Sequence, residues 1–283
     1  MLESLPPCDF NPLLIGTLAL IASVHLTFTP DPRARRYTLC GWLIAAAALV
    51  SPLSALSVSL FAAHILQQMI LLLIAAPLIA LSWPLTASDP ERSCSVWPMW
   101  LSAGAFFVAL WFWHVPGAYD ATLASPYLHW TMQGTLFGSS ILLWRELLQH
   151  RAEQTGDILA VGVLSSMQMS LLGVVLVLAP RPLFFSHLTT TAAWGYTPLE
   201  DQQLGAALIW VPGMLLFVWV ALHSLKHLWD NLEELKSTLS DPREPQPERP
   251  QPQERRYPSL PPARRRAGNI SGSSGRSALG TQG

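Results

Sequence analysis

Residues 60–82 read LFAAHILQQMILLLIAAPLIALS, and none of them is Asp, Glu, Lys or Arg. A transmembrane helix needs roughly 20 mostly apolar residues to cross about 30 Å of hydrocarbon, so this stretch is long enough to span a bilayer. The alternating pattern of a membrane β-strand is absent. The sequence therefore predicts a membrane-spanning α-helix at Leu60–Ser82.

The composition of the chain agrees with this interpretation. Hydrophobic residues make up 51% of its 283 residues and charged residues 12%, which is about half the usual charged share. Only seven of the 17 Lys and Arg lie in the first 225 residues, too few to cover the surface of a soluble domain. The three cysteines, Cys8, Cys40 and Cys94, are too scattered for a disulfide framework or a zinc site. A soluble enzyme, a nucleic-acid binder and a secreted disulfide module are all disfavoured.

Seven apolar segments are long enough to be spans, which predicts an all-α, polytopic membrane helix bundle within residues 1–240. The segments are Pro12–Thr29, Thr38–Val58, Leu60–Ser82, Trp97–His114, Tyr127–Leu147, Ile158–Ala179 and Leu204–His227. The second and third are expected to be separated by a tight turn near residues 57–59. Pro52, Pro77 and Pro212 are expected to kink their helices.

The basic residues predict the orientation of the bundle. One set of connections, together with the C-terminal segment, contains 16 of the 17 Lys and Arg, and the opposite set contains only Arg181. The positive-inside rule then places the N-terminus outside and the C-terminus in the cytoplasm. Glu3 and Asp9 precede the first segment, which argues against a cleavable signal peptide.

The C-terminal part of the chain has a different composition. Residues 229–239 are expected to extend the last helix into the cytoplasm. From Asp241 to Gly283 the chain consists largely of Pro, Arg, Gln, Ser and Gly, with almost no large apolar residue. This composition is typical of a disordered tail.

Four histidines, His64, His114, His129 and His187, are expected at or near the outer surface. His64 and Gln68 are four residues apart in one inward-running segment, and His129 and Gln133 have the same spacing in another. Residues at this spacing share a helix face, and His114 closes a third segment at the same level. These side chains are expected to converge near the outer face.

Such a cluster has two readings. A single intramembrane histidine is more often hydrogen-bonded to a neighbouring helix than bound to a metal. Three at one depth, with Met69 and Met132 near the same level, favour a shared polar site. Imidazole with thioether suits copper, so the candidate metal ligands are His64, His114, His129, Met69, Met132, Gln68 and Gln133.

Two other outer features have structural readings. Pro116-Gly117 follows His114 directly and is typical of a turn. Asp201 precedes the last segment, where a carboxylate would cap the N-terminus of that helix. There is no phosphate-binding loop, no HEXXH and no Cys-x-x-Cys motif, and no reaction type emerges. A non-enzymatic protein is expected.

Three groups of motifs in this order resemble the CtaG-type cytochrome c oxidase assembly proteins associated with caa-type oxidases. They are Ser51-Pro52-Leu53 with residues 64–68 and 75–78; residues 113–116 with Tyr119-Asp120, residues 126–129 and Leu143-Trp144; and residues 201–205 with Trp210. The resemblance covers about 160 residues, and the tail lies outside it.

The resemblance implies a protein of the bacterial plasma membrane that matures a haem–copper oxidase by handling copper outside the membrane. Its partners would be an oxidase subunit and a periplasmic copper carrier. His64, His114 and His129 match the recurrent histidines, while Gln68 and Gln133 stand where many relatives have His or Met. Two alternatives remain open: a haem-binding electron carrier using His64 and His129, and a copper transporter.

Overall fold

The structure, a computed structural model, describes residues 11–83, 95–148 and 155–240. All regular secondary structure in these ranges is helical, which confirms the all-α prediction. The predicted tail, 241–283, lies outside the described residues, as do Cys8 and Cys94. The helices are α1 (Pro12–Thr27), α2 (Pro32–Val50), α3 (Pro52–Ser59), α4 (Phe61–Ser82), α5 (Trp97–Trp113), α6 (Pro116–Ala124), α7 (Pro126–Leu148), α8 (Thr155–Val177) and α9 (Pro198–Ser240).

The first helices begin where short polar residues precede a proline. The side chain of Asp31 accepts hydrogen bonds from the backbone N–H groups at the start of α2, and Pro32 occupies the first helical position. Ser51 and Pro52 begin α3 in the same way. Because proline at this position fixes the backbone without losing a helical hydrogen bond, both starts are favourable.

The second predicted segment, Thr38–Val58, differs in detail from the structure. Its helix begins earlier, at Pro32, and is broken at Ser51 into α2 and α3, whose axes differ by 49°. The expected kink at Pro52 is therefore confirmed. The tight turn expected near residues 57–59 lies one residue later, since α3 continues to Ser59 and the break falls at Leu60, which has an extended backbone.

α4 contains a π-helical turn, Leu71–Ala75, immediately before Pro77. In a π turn the carbonyl of residue i accepts from the N–H of residue i+5, and for Leu72 that residue is Pro77, which has no N–H. The free Leu72 carbonyl instead accepts hydrogen bonds from Ser140 Oγ at 3.0 Å and Trp144 Nε1 at 2.8 Å. The proline thus creates a polar contact between α4 and α7.

The expected turn at Pro116-Gly117 is the start of another helix. Pro116 is the first residue of α6, whose axis differs from that of α5 by 78°. The chain turns at His114 and Val115. His114 therefore lies at a sharp elbow between two helices rather than at the entrance to a loop.

α9 approaches the start of α4 closely because position 205 is glycine. A Cβ atom on Gly205 would lie 2.5 Å from the Phe61 ring and 3.2 Å from the Ala62 Cα. α9 continues to Ser240 and so includes the expected extension, residues 229–239. The chain divides into two compact units after Glu233, and the described part of the second, residues 234–240, is helical.

Two helices in the described residues are long and apolar enough to cross a membrane, α4 and residues 156–177 of α8. The bent pairs α2–α3 and α5–α6 pass the same test when each is taken as one span, and α1 is a shorter apolar helix. The largest apolar core contains residues from each of the helices α4 through α9, among them Phe61, Ile65, Leu110, Leu136 and Ile209.

Candidate functional site

The first turns of α4 bring a histidine and a glutamine together. His64 is fully buried, and Gln68, one turn later, is buried on the same face. The Gln68 side-chain nitrogen lies 3.1 Å from His64 Nε2 and 3.7 Å from the sulfur of Met132, which projects from α7. One amide group thus bridges an imidazole and a thioether on two helices.

A second imidazole comes from the first turn of α7. The ring of His129 lies 6.2 Å from that of His64, centroid to centroid, and the planes differ by 73°. His129 is partly buried, whereas Met132, one turn later, is fully buried. The structure therefore brings together His64, Gln68, His129 and Met132, and we call these four residues the His64 cluster. Their role as metal ligands stays a prediction.

His114 contributes a buried nitrogen from the elbow between α5 and α6. Its Nδ1 donates a hydrogen bond to the Leu110 carbonyl at 2.7 Å. Because a carbonyl can only accept, the ring proton is on Nδ1 and Nε2 carries a lone pair. Metal-binding histidines commonly have this arrangement.

The two remaining candidates are less closely connected to the cluster. Gln133 is buried, and its side-chain nitrogen has no hydrogen-bond partner among the described residues. Met69 is buried in the apolar core. It follows His64 by five positions, about 140° around the helix, so it belongs to a different face from Gln68.

The site contains several buried polar atoms that lack partners. Among the described residues, His64 Nδ1, Gln68 Oε1, His114 Nε2 and Gln133 Nε2 have no hydrogen bond. An unsatisfied buried polar group costs about 1–3 kcal/mol. Each of these atoms is available for a hydrogen bond to water or to a bound group.

No three His, Cys, Asp or Glu side chains within the described ranges lie close enough together to hold a metal ion. The donors gathered in the His64 cluster are two imidazoles and one thioether. This donor set is too soft and too small for a hard cation with six oxygen ligands. It suits Cu(I), which thioether ligands favour.

Tyr119 and His187 border the cluster. The sequence places His187 near the same outer surface and Tyr119 in one of the motifs, but neither is among the candidate metal ligands. The Tyr119 ring on α6 lies 5.1 Å from that of His64. Its hydroxyl lies 2.8 Å from His187 Nε2, and both side chains are buried. The Tyr119-Asp120 motif was the one signal for this position.

The segment between α8 and α9 is held against the cluster. The Phe184 ring stacks on Phe61 at 4.4 Å and lies 4.6 Å from that of Tyr119. The Asp120 carboxylate accepts hydrogen bonds from the backbone of Phe185 and from both the backbone and the hydroxyl of Ser186. We call residues 183–197 the covering loop, because they pack on Phe61 and on Tyr119, whose ring lies beside that of His64.

Asp201 caps a helix, but not the one expected. Its carboxylate accepts hydrogen bonds from the N–H groups of Phe61 at 2.7 Å and Ala62 at 3.1 Å, at the N-terminus of α4. α9 itself begins with a reciprocal pair formed by Thr197 and Glu200. The expectation that Asp201 caps its own helix is wrong, because Thr197 supplies that cap and the close approach of α9 to α4 brings Asp201 to the α4 terminus.

Burial has opposite effects on the two titratable groups beside the covering loop. It lowers the pKa of His187 below its usual 6.5, while the carboxylates of Asp201 and Asp120 act in the other direction. It raises the pKa of Asp201 above its usual 3.8, although the two N–H donors at the α4 terminus oppose this. The neutral imidazole of His187 is therefore favoured in the folded loop.

Gln202 ties the covering loop to two helices. Its oxygen accepts from the Leu183 N–H at 2.7 Å, and its nitrogen donates to the Leu176 carbonyl at 3.0 Å. The start of α9 thus supports both the first residue of α4, through Asp201, and the beginning of the loop.

A family model described as cytochrome c oxidase caa3 assembly factor (Caa3_CtaG) matches residues 18–230, which is well over half of the chain. The matched range includes the whole His64 cluster and the covering loop. No curated protein and no solved structure matches the chain.

Proposed function

This chain belongs to the family of cytochrome c oxidase caa3 assembly factors, and we propose that it holds copper at the His64 cluster and passes it to the oxidase. The observation that carries this proposal is the pairing of His64 with His129, 6.2 Å apart, next to the buried sulfur of Met132. Metal–imidazole bonds are about 2.0–2.1 Å long. Small rotations of these side chains would bring three donors onto one ion.

Cu(I) is the form of copper that this donor set fits best. The thioether of Met132 is a soft ligand, and the cluster offers few charged or oxygen donors for a harder ion. His114 Nε2 carries a lone pair and has no hydrogen-bond partner among the described residues. It is therefore a further nitrogen ligand for an ion that enters or leaves the cluster. A site with neutral ligands and no thiolate releases its cargo more readily than a cysteine site would.

We place the cluster at the outer face of a bacterial plasma membrane. Two helices in the described residues, or four spans if each bent pair is counted as one, are long and apolar enough to cross a membrane. The distribution of Lys and Arg favours an outside N-terminus and a cytoplasmic C-terminus. His64 and His129 each lie in the first turns of a segment that would run inward. In this arrangement an oxidase subunit and a periplasmic copper carrier could reach partly buried His129.

The proposed role is non-catalytic, because an assembly factor that transfers a bound ion forms and breaks no covalent bond of its own. The haem-binding alternative has less support. The family model that matches the chain describes an oxidase assembly factor rather than an electron carrier.

Copper binding can be tested on detergent-purified protein by competition with a chromogenic Cu(I) chelator. The double variant His64→Ala/His129→Ala should bind Cu(I) at least about 100-fold more weakly, which corresponds to about 2.7 kcal/mol. His25→Ala is the matched control, because His25 lies at the other end of α4 and contacts Ser82. Equal affinity of the wild type and the double variant would refute the proposed copper site.

The cellular consequence can be measured separately. Cells that lack this chain should contain less active caa3-type oxidase, and the double variant should not restore it although it reaches the membrane. Restoration to wild-type activity by the double variant would show that assembly does not depend on these two rings.

A further inference from the structure

We propose that the Gln68 amide occupies the place of the metal in the copper-free protein, and that it competes with Cu(I) for His64 and Met132. This inference rests on the proposed copper function. The amide would set the affinity of the cluster and thereby make the bound ion exchangeable.

The argument begins with the two contacts of the Gln68 side-chain nitrogen. It lies 3.1 Å from His64 Nε2 and 3.7 Å from Met132 Sδ. A thioether sulfur can only accept a hydrogen bond. Each of the two amide hydrogens is therefore directed at a lone pair that a copper ion would need.

The orientation of the amide follows from the same contacts. If the group were turned over, its oxygen would face the Met132 sulfur, and two acceptors would be in contact. The amide nitrogen would then stand at the present position of Gln68 Oε1, where no partner lies among the described residues. Both of its N–H groups would be left without a hydrogen bond. Since two unsatisfied donors cost more than one unsatisfied oxygen, the orientation that bridges His64 and Met132 is favoured.

Copper entry then requires an exchange. The two hydrogen bonds of the Gln68 nitrogen break, the side chain rotates away, and His64 Nε2 and Met132 Sδ turn to the ion. When copper leaves, the amide returns and satisfies both acceptors again. The Gln68 amide thus stabilises the metal-free cluster by bonding to the same two atoms as copper would. This stabilisation lowers the net free energy gained when copper binds.

Gln67 provides a matched comparison on the same helix. It has the same side chain, directly precedes Gln68 and is also buried. Its nitrogen, however, donates to the Ala48 carbonyl of α2 at 3.1 Å. Gln67 therefore blocks no lone pair of the His64 cluster, and its removal should not free a copper ligand.

The test is to compare Gln68→Leu with Gln67→Leu in Cu(I) competition titrations of the full-length protein in detergent. The two hydrogen bonds of the Gln68 nitrogen, together worth a net contribution of at least about 1 kcal/mol, correspond to a factor of about five. Gln68→Leu should therefore bind Cu(I) at least about fivefold more tightly and release it correspondingly more slowly. Gln67→Leu should stay within about twofold of the wild type, because its amide bonds to Ala48 rather than to His64 or Met132. Unchanged or weaker binding by Gln68→Leu would overturn the inference, and weaker binding would identify the amide oxygen as a ligand.

Two further measurements keep the outcome interpretable. If Gln68→Leu does not fold, Gln68→Asn withdraws the amide by one methylene and should also tighten binding. The double variant His64→Ala/His129→Ala separates the two proposals. If it binds Cu(I) as well as the wild type, the copper site itself is refuted. If it loses binding while Gln68→Leu changes nothing, only the role of Gln68 is refuted.

Discussion

A histidine lies at each end of α4, and the two rings differ in how many of their nitrogens have a hydrogen-bond partner. At the end of the helix, His25 Nδ1 accepts from Trp42 Nε1 at 3.1 Å, and its Nε2 lies 3.3 Å from Ser82 Oγ. Both ring nitrogens therefore have partners on other helices. His64, near the beginning of α4, has one partner, Gln68, and its Nδ1 has none among the described residues.

This difference separates a structural histidine from a candidate ligand. The ring of His25 joins α1 to α2 and α4, so its hydrogen bonds hold helices together. The end of α4 that contains His64 is instead held by Asp201 and by aromatic packing on Phe61. In the described part of the chain, His64 has no hydrogen bond to another helix and so does not hold helices together. Its Nε2 is available to another molecule when Gln68 is displaced.

The largest expected effect comes from removing the group that holds the His64 end. Asp201→Ala leaves two N–H groups unsatisfied at the buried start of α4 and should lower the free energy of unfolding by about 2–4 kcal/mol. Thermal unfolding in detergent measures this loss. Glu200→Ala, which removes the exposed cap of α9, is the control and should cost about 1 kcal/mol or less. Equal losses would contradict the assignment of Asp201.

The comparison of the two rings is tested most directly by replacing each with leucine. His25→Leu leaves the Trp42 N–H without its acceptor and should destabilise the protein by about 1–3 kcal/mol. His64→Leu leaves one Gln68 N–H without its acceptor but also removes the unsatisfied Nδ1, so its net cost should stay below about 1 kcal/mol. Both are measured as shifts in thermal unfolding of the copper-free protein. If His64→Leu is the more destabilising change, the contrast between the two ends is wrong.

The smallest expected effect concerns pH and the covering loop. Because the pKa of His187 is lowered in the folded loop, the released loop binds a proton more readily. Loop stability should therefore be complete above about pH 7 and should fall as the pH drops below 6.5. The loss is about 1.4 kcal/mol for each unit by which the pKa in the folded loop lies below 6.5. Hydrogen exchange of residues 183–197 measures this.

The control for the pH effect is His187→Asn, which does not titrate in this range. Its loop should exchange at a rate that, after correction for intrinsic chemistry, does not depend on pH between 5 and 7. A loop that becomes better protected on acidification in the wild type would reverse the assigned direction.

Local spacing predicted part of the site correctly. His64 and Gln68 are one turn apart on a helix, so the sequence alone shows that they share a face, and the match of the family model to residues 18–230 confirms the resemblance drawn from the motifs. The shared region with His129 followed from comparing two similar segments.

Contacts between distant positions could not be predicted in the same way. Asp201 bonds to Phe61 across 140 positions, and no local pattern specifies which helix terminus a carboxylate will reach. The bridge from Gln68 to Met132 depends on the rotation of two helices about their axes. The reading of Pro116-Gly117 as a turn failed because proline also favours the first position of a helix.

The polar contact at Leu72 has a consequence for the distance between the two candidate ligand groups. His64 precedes Leu72 by eight residues, and Met132 precedes Ser140 by eight, which is about 12 Å along each helix. The contacts occur in the same order along α4 and α7, so the two helices run parallel. Ser140 and Trp144 therefore fix the longitudinal register of both helices. A single residue inserted between Met132 and Ser140 would rotate the Met132 thioether by about 100° around α7. This would separate it from Gln68 and His64, although no ligand residue would have been replaced.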